Sequence, residues 1–306
     1  MSTREISIVE VGPRDGLQSE PEILATDSKR QFIELAIDAG IRRLEVASFV
    51  HPKRVPQMAD AEALIEVLPQ RDDVSYIGLI MNERGLDRAL TTRIHEIGMV
   101  VVASDTYNRK NQGVSSEESV AAWHAISTRA KENGLRANVM ISSAFGCPYE
   151  GEVKVERVLE LAKMVLESEP AELGIADSIG VGVPNQITDL LGAVAEVAGD
   201  TPLRCHFHNT RNTGLANAQA AVEAGVTYLD ASIGGIGGCP FAPAATGNIP
   251  TDDLLYMLDR SGVKTGVDLE KIIAVSEWLE QELGRGVPAL LPKAGGFPTG
   301  EQQVAG

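Results

Sequence analysis
Cysteine, basic residues and long apolar runs are all scarce in this chain. Its 306 residues include three cysteines, Cys147, Cys205 and Cys239, widely spaced and in no Cys-x-x-Cys pair. An odd, scattered set argues against both a disulfide framework and a zinc-thiolate site. Lys and Arg number 27 against 43 Asp and Glu, a formal net charge of -16. Such a field repels polyanions, so no nucleic acid and no membrane is expected as a partner, and a small anionic ligand would need a local basic pocket. No segment offers the ~18 uninterrupted apolar residues of a spanning helix. The opening MSTREISIVEVGPRDG lacks an apolar stretch with a small-residue cleavage site and runs straight into strand-like sequence, which predicts a cytoplasmic protein.

What the chain does have is a regular alternation. With 43% hydrophobic residues it can bury a large core, and as one domain its length suits an α/β barrel or a large sandwich. Eight short β-branched or apolar runs recur: ISIVEV from Ile6, RLEVASF from Arg43, YIGLIMN from Tyr76, MVVVAS around Val101, ANVMISSAF from Ala137, ELGIADSIG from Glu172, PLRCHFHN from Pro202 and YLDASIGG from Tyr228. Each is followed by a longer segment of helical periodicity. SKRQFIELAIDAG before Ile41 and TGLANAQAAVEAG before Val226 place apolar residues at three-to-four spacing and end at a glycine, which closes a helix in the left-handed conformation. Ser115 and Glu118 form the Ser-x-x-Glu pattern of a capping box, opening a helix through Lys131. Eight such units without a linker predict an α/β fold, a (β/α)8 TIM barrel, with a doubly wound sheet as the alternative. One catalytic domain is expected over residues 1–283, ending in a helical extension at 268–283. The Gly/Pro-rich residues 284–306 read as a loosely held tail without chemistry.

In a barrel the chemistry sits at the C-terminal ends of the strands. His206 and His208 are two apart on the seventh run, so both imidazoles share one face while Cys205 and Phe207 face the helices. Two imidazoles inside a barrel can hold one metal ion. Asp15, at the end of the first run, is the natural carboxylate partner, although Arg-Asp-Gly is also ordinary turn chemistry. Such a donor set points to Mg2+ or Mn2+, with Zn2+ and a two-His-one-carboxylate iron site as alternatives. Arg14 puts a permanent cation beside the ion, suited to stabilising an enolate or polarising a carbonyl, whereas a structural arginine would pair only with Glu45. Gly180-Val181-Gly182 lacks the third glycine of a dinucleotide loop. After the eighth run comes GGIGGCPFAP, one thiol among four glycines and two prolines.

Taken together, GPRDGLQ from Gly12, EVASFVHPKRVPQM from Glu45, SSAFGCPYEG ending at Gly151, HFHN from His206 and GGIGGCPFAPAATGN ending at Asn248 resemble the hydroxymethylglutaryl-CoA lyase family of the metallolyase TIM-barrel superfamily. The resemblance implies retro-Claisen cleavage of 3-hydroxy-3-methylglutaryl-CoA to acetyl-CoA and acetoacetate, chemistry of leucine degradation and ketone bodies. It implies an acyl-CoA thioester as binding partner and a divalent metal, Mg2+ or Mn2+, held by Asp15, His206, His208 and Asn248. Arg14 would stabilise the enolate, Glu45 and Asp177 would belong to the surrounding polar network, and Gln18 and Ser48 would lie near the substrate. Cys239 would be the loop thiol needed for turnover, and either Asp15 or His206 the base. A homo-oligomer is expected. The chain departs from the family at Gly174, Ala176, Gly113, Pro21 and the segment after Cys239, positions around the acyl and CoA approaches. These departures leave open a related 3-hydroxy-3-alkylacyl-CoA lyase, or an acyl-CoA-dependent Claisen synthase. Lys53, Arg54, Arg109 and Lys110 are candidates for the CoA phosphates.

Overall fold
The structure, a computed structural model, describes residues 4–239 and 242–298, without the side chains of residue 239 and residues 242–246. Eight parallel strands, β1 (Ser7–Glu10), β2 (Arg43–Ser48), β3 (Ser75–Ile80), β4 (Glu96–Val102), β5 (Arg136–Ser142), β6 (Leu173–Asp177), β7 (Leu203–Phe207) and β8 (Tyr228–Ala231), close into a barrel. Its order is β1-β8-β7-β6-β5-β4-β3-β2, the expected (β/α)8 arrangement. The runs read as strands are the strands. Helices lie between them, and the Ser115–Glu118 capping box opens the helix Ser116–Glu132 as its spacing requires. Among the described residues no helix is long and apolar enough to cross a membrane.

The two faces of the barrel wall differ. Outward-facing Leu44, Val46, Ile97, Ile141, Ile175, Phe207 and Leu229 are fully buried with the helices in one continuous apolar core, and burial at roughly 25 cal/mol per Å² of apolar surface is what holds the helices on. The inward face instead carries charge. Arg43 reaches across the barrel from β2, its Nη2 donating to Glu96 Oε2 at 2.6 Å and to Glu172 Oε1 at 2.5 Å. Arg136 Nη2 donates to the same Glu172 oxygen at 2.7 Å, and Asn138 Nδ2 to Glu96 Oε2 at 2.8 Å. Burial disfavours the Glu96 anion, but the hydrogen bonds and charge of Arg43 outweigh it and bring its pKa down to about 2. Barrel interiors are usually filled by branched aliphatic side chains. Here, among the described residues, Val9, Val11 and Ile77, with Tyr228 beside them, form one small apolar cluster.

The segment after residue 283, expected to be loosely held, is packed as far as it is described. Val287, Ala289 and Leu291 are buried, Ala289 N donates to Gly234 O at 2.9 Å, and Asp253 Oδ1 accepts from Leu290 N and Leu291 N at 3.0 Å each. Arg285 pairs with Glu20 in the β1 loop. A few apolar residues in a Gly/Pro-rich composition are enough to anchor it, which the overall composition hides.

At the end of β1, Glu10 is buried, with Oε1 accepting from Gly12 N and Ile233 N and Oε2 from Thr251 Oγ1 at 2.6 Å. Burial raises its pKa from the ordinary 4.5 to about 8, against the pull of those hydrogen bonds. The folded chain therefore keeps a proton that the unfolded chain loses, and stability falls as pH rises from about 4.5 to about 8. Glu10→Gln is expected to flatten this decline in Tm across that interval. An unchanged slope would show that Glu10 is ionised in the folded protein.

Candidate active site
At the end of β1 the Val11 carbonyl accepts the N–H groups of Arg14, Asp15 and Gly16 at 3.2, 2.7 and 3.2 Å. This tight turn, Gly12–Gly16, has π-helical hydrogen bonding, a geometry common at functional sites, and it brings Arg14 and Asp15 to the barrel mouth. Gly16 is required because a Cβ there would lie 2.7 Å from Ile236 Cγ1. Arg14 spans two carboxylates, Nη1 to Asp15 Oδ1 at 2.5 Å and Nη2 to Glu45 Oε2 at 2.6 Å. The arginine is thus both structural and placed at the site.

From the other side, His206 on β7 and His208 just beyond it project to the same mouth, with ring centroids 5.1 Å apart. Asn248 is 40 residues further on in sequence, yet an isolated antiparallel bridge joins it to His208, flanked by Asn209 N to Gly247 O and Ile249 N to Phe207 O, each 3.1 Å. Its Nδ2 donates to Asp15 Oδ2 at 3.0 Å and to Ile236 O at 3.2 Å. Gly237, at φ +107°, leaves room for that amide, since a Cβ would stand 2.7 Å from Asn248 Nδ2. One donor atom from each of Asp15, His206 and His208 lies within 4.8 Å of the others. Asn248 Oδ1 and His208 Nδ1 are buried polar atoms without a hydrogen-bond partner among the described residues. Two imidazoles and a carboxylate within reach of one point, with the Asn248 amide against that carboxylate, fit a divalent cation of hard or borderline character.

Electrostatics agree with that fit. Burial opposes the Asp15 anion, but Arg14 and the two imidazoles hold its carboxyl below the ordinary aspartate range. Burial and the neighbouring His206 push His208 down to about 3, so it is the neutral imidazole that metals bind. His206 Nδ1 meets Asp230 Oδ2 at 3.1 Å, leaving Nε2 facing Asp15 Oδ2 at 4.0 Å, and Asp230 Oδ1 in turn accepts from Arg204 Nε at 2.5 Å. For His206, burial works against protonation and the Asp230 contact overrides it, raising its pKa. A carboxylate on the far nitrogen fixes the ring and tautomer of a ligating histidine.

These residues open onto a cavity of about 1050 Å³ lined by Arg14, Asp15, Gln18, Glu45, His206 and His208 among others. Gln18 Nε2 lies 3.4 Å from Asp15 Oδ1. Two expected site residues are not brought to it. Asp177 follows Ala176 and precedes Ser178, both of which line the cavity, so alternation turns Asp177 outward. There its oxygens accept from Val181 N and Gly182 N at 3.0 and 2.7 Å. It shapes the loop after β6 instead of joining the polar network. Ser48 is fully buried with its Oγ 3.4 Å from Val50 N, and an irregularity between Glu45 and Ala47 breaks the β2 alternation before it. The Cys239 side chain lies outside the described residues; the carbonyl of its neighbour Gly238 accepts from Ser19 Oγ at 2.8 Å, and Gly238 lines the cavity. Of the basic candidates, Arg54 reaches the mouth, whereas Arg109 is engaged by Asp105 at 2.8 Å. Asp230 and Arg204 escaped sequence reasoning. Arg204 stands two residues before His206 on the same face, and Asp230 pairs with His206 in the β8–β7 register, so the period of two together with strand order could have found them.

A closed (β/α)8 barrel with a two-histidine, one-carboxylate cluster over a deep cavity defines the class as a barrel enzyme with a candidate divalent-metal site. Residues 5–279 match the HMGL-like family. The chain is 40% identical to the (R)-citramalyl-CoA lyase of Chloroflexus aurantiacus over 95% of each chain. It is 38% identical to the hydroxymethylglutaryl-CoA lyase of Bacillus subtilis, over 94% of this chain and 96% of the relative. Among solved structures, an HMG-CoA lyase from Acinetobacter baumannii in complex with coenzyme A and 3-methylmalate matches with a TM-score of 0.94 at 36% identity, covering 98% of both chains. The chain belongs to the HMGL-like family, the family of HMG-CoA lyases.

Asp230→Asn is expected to weaken Mn2+ binding by about 10–100-fold in titration calorimetry, the range typical for removing the partner of a ligating histidine. Unchanged affinity would mean that Asp230 does not orient His206.

Proposed function
We propose that the protein is a Mg2+- or Mn2+-dependent carbon–carbon lyase that cleaves 3-hydroxy-3-methylglutaryl-CoA to acetyl-CoA and acetoacetate, as in leucine degradation and ketone-body formation. The observation that carries this reading is the convergence of Asp15, His206 and His208 at the mouth of a cavity that also holds Arg14, with the Asn248 amide against Asp15. A divalent cation held by this cluster would acidify a tertiary hydroxyl bound there. Asp15 or His206, the two basic groups the cluster presents, takes the hydroxyl proton. The C3–O bond then becomes a carbonyl as C2–C3 breaks, and the electron pair passes into the thioester as an enolate. Arg14, fixed between Asp15 and Glu45, sets a cation at the cavity where that charge develops. Cys239 returns a proton to the enolate carbon, a task within reach of a thiol with a reference pKa near ~8.5.

The citramalyl-CoA lyase relative supports a second reading, in which the acyl chain is one carbon shorter and the same bond cleavage yields acetyl-CoA and pyruvate. Both substrates present a tertiary alcohol β to a thioester, so the cluster serves either. Incubation with hydroxymethylglutaryl-CoA, citramalyl-CoA and longer 3-alkyl homologues, with Mg2+ or Mn2+ or with a chelator, separates them by acetyl-CoA release. Metal-dependent release from at least one is expected, and no release from any with metal present would sink the lyase reading. His208→Ala should abolish metal-dependent turnover. Cys239→Ala should leave Mn2+ binding intact while slowing turnover by about 10²–10⁴-fold, the usual size of a general-acid contribution; wild-type rates would remove the thiol from the mechanism.

A further inference from the structure
Next to the strand that carries His206, the cavity wall contributed by β6 and β5 includes Gly174, Ala176 and Met140. In the closed barrel β5 stands diametrically opposite β1, the strand whose end carries Asp15. Met140 on β5 pairs in register with Gly174 on β6, and both line the cavity. A Cβ on Gly174 would lie 2.8 Å from Met140 Cε, 3.0 Å from its Cγ and 3.1 Å from its Cβ. The methionine is therefore laid along the wall in the space that a side chain on Gly174 would occupy. Gly98 and Ala176, which line the same cavity, add little bulk. Gly174 pairs with Arg204 and Ala176 with His206, so Met140 covers the level one pleat below the His206 imidazole.

A tetrahedral carbinol carbon that turns its hydroxyl to the Asp15–His206–His208 cluster has to direct its apolar substituent away from those charged and polar groups. Met140 is an apolar side chain on the wall of the same cavity. We propose that Met140, seated over Gly174, is the specificity element for the group carried on C3 of a 3-hydroxyacyl-CoA, confining the substrates to those with hydrogen or methyl there. This inference rests on the lyase reading above. A thioether on an unbranched chain can yield to a methyl group, whereas each further methylene that an apolar pocket refuses is worth about 10–200-fold in kcat/KM.

The test compares acetyl-CoA release from 3-hydroxyglutaryl-CoA and from its C3-methyl and C3-propyl derivatives by the metal-loaded wild type, Met140→Ala, Met140→Val and Gly174→Ala. The wild type should prefer the methyl over the propyl substrate by at least ~10-fold. Met140→Ala should raise the propyl-to-methyl ratio of kcat/KM by at least ~10-fold, and Met140→Val should move it in the same direction should the alanine variant fail to fold. Gly174→Ala, which displaces the thioether into the cavity, should depress the methyl substrate relative to the unbranched one. Ratios unmoved in a folded Met140 variant overturn the proposal while leaving the lyase reading intact. A wild type that cleaves none of the three thioesters overturns this proposal, and the lyase reading falls with it only where citramalyl-CoA is not cleaved either.

Discussion
The Asp15 carboxylate, shared between Arg14 on one oxygen and Asn248 on the other, is the contact on which the site depends. It stands in a buried series that runs from Glu45 through Arg14 and Asp15 to His206, Asp230 and Arg204. Desolvating so many ionisable groups is tolerable only when each charge is answered. With both imidazoles in the neutral form that ligates a metal, the series holds three carboxylates against two guanidiniums, one negative charge in excess. The deeper set of Arg43, Arg136, Glu96 and Glu172 is balanced at two of each sign. The excess therefore sits at the mouth, where the Asn248 amide meets Asp15 and where a divalent cation held by Asp15 and the two imidazoles would neutralise it.

Barrel architecture turns this charge arrangement into a cleft. The stabilising apolar burial lies outside the barrel, between strands and helices, which frees the interior from packing duty. Gly98, Gly174 and Ala176 then leave open volume above the deep ion pairs. That volume presents the polar cluster and, on the same wall of strands, Met140. The β1 turn, the β7 end and the bridge from His208 to Asn248 set that cluster from three separate parts of the chain, so the site exists only once the barrel has closed.

The alternation of eight runs and their helices was legible because strand and helix periodicities are local properties of the chain. The pair His206 and His208 was legible for the same reason, as two residues apart on a strand share a face. What escaped depends on relations between strands or on breaks in local order. Asp230 matters only because β8 registers against β7. The family resemblance puts Asp177 in the polar network, yet parity turns it outward to hold residues 181 and 182. Ser48 lies beyond an irregularity that parity arguments do not foresee. The buried Val287, Ala289 and Leu291 were masked by the Gly/Pro-rich composition around them.

The most direct test of the central claim is anomalous diffraction from crystals grown with Mn2+. The structure predicts one strong peak per chain at bonding distance from donor atoms of Asp15, His206, His208 and Asn248, with Asp230 still hydrogen-bonded to His206. A peak bound elsewhere, or none at this cluster at full Mn2+ occupancy of the protein, would contradict it.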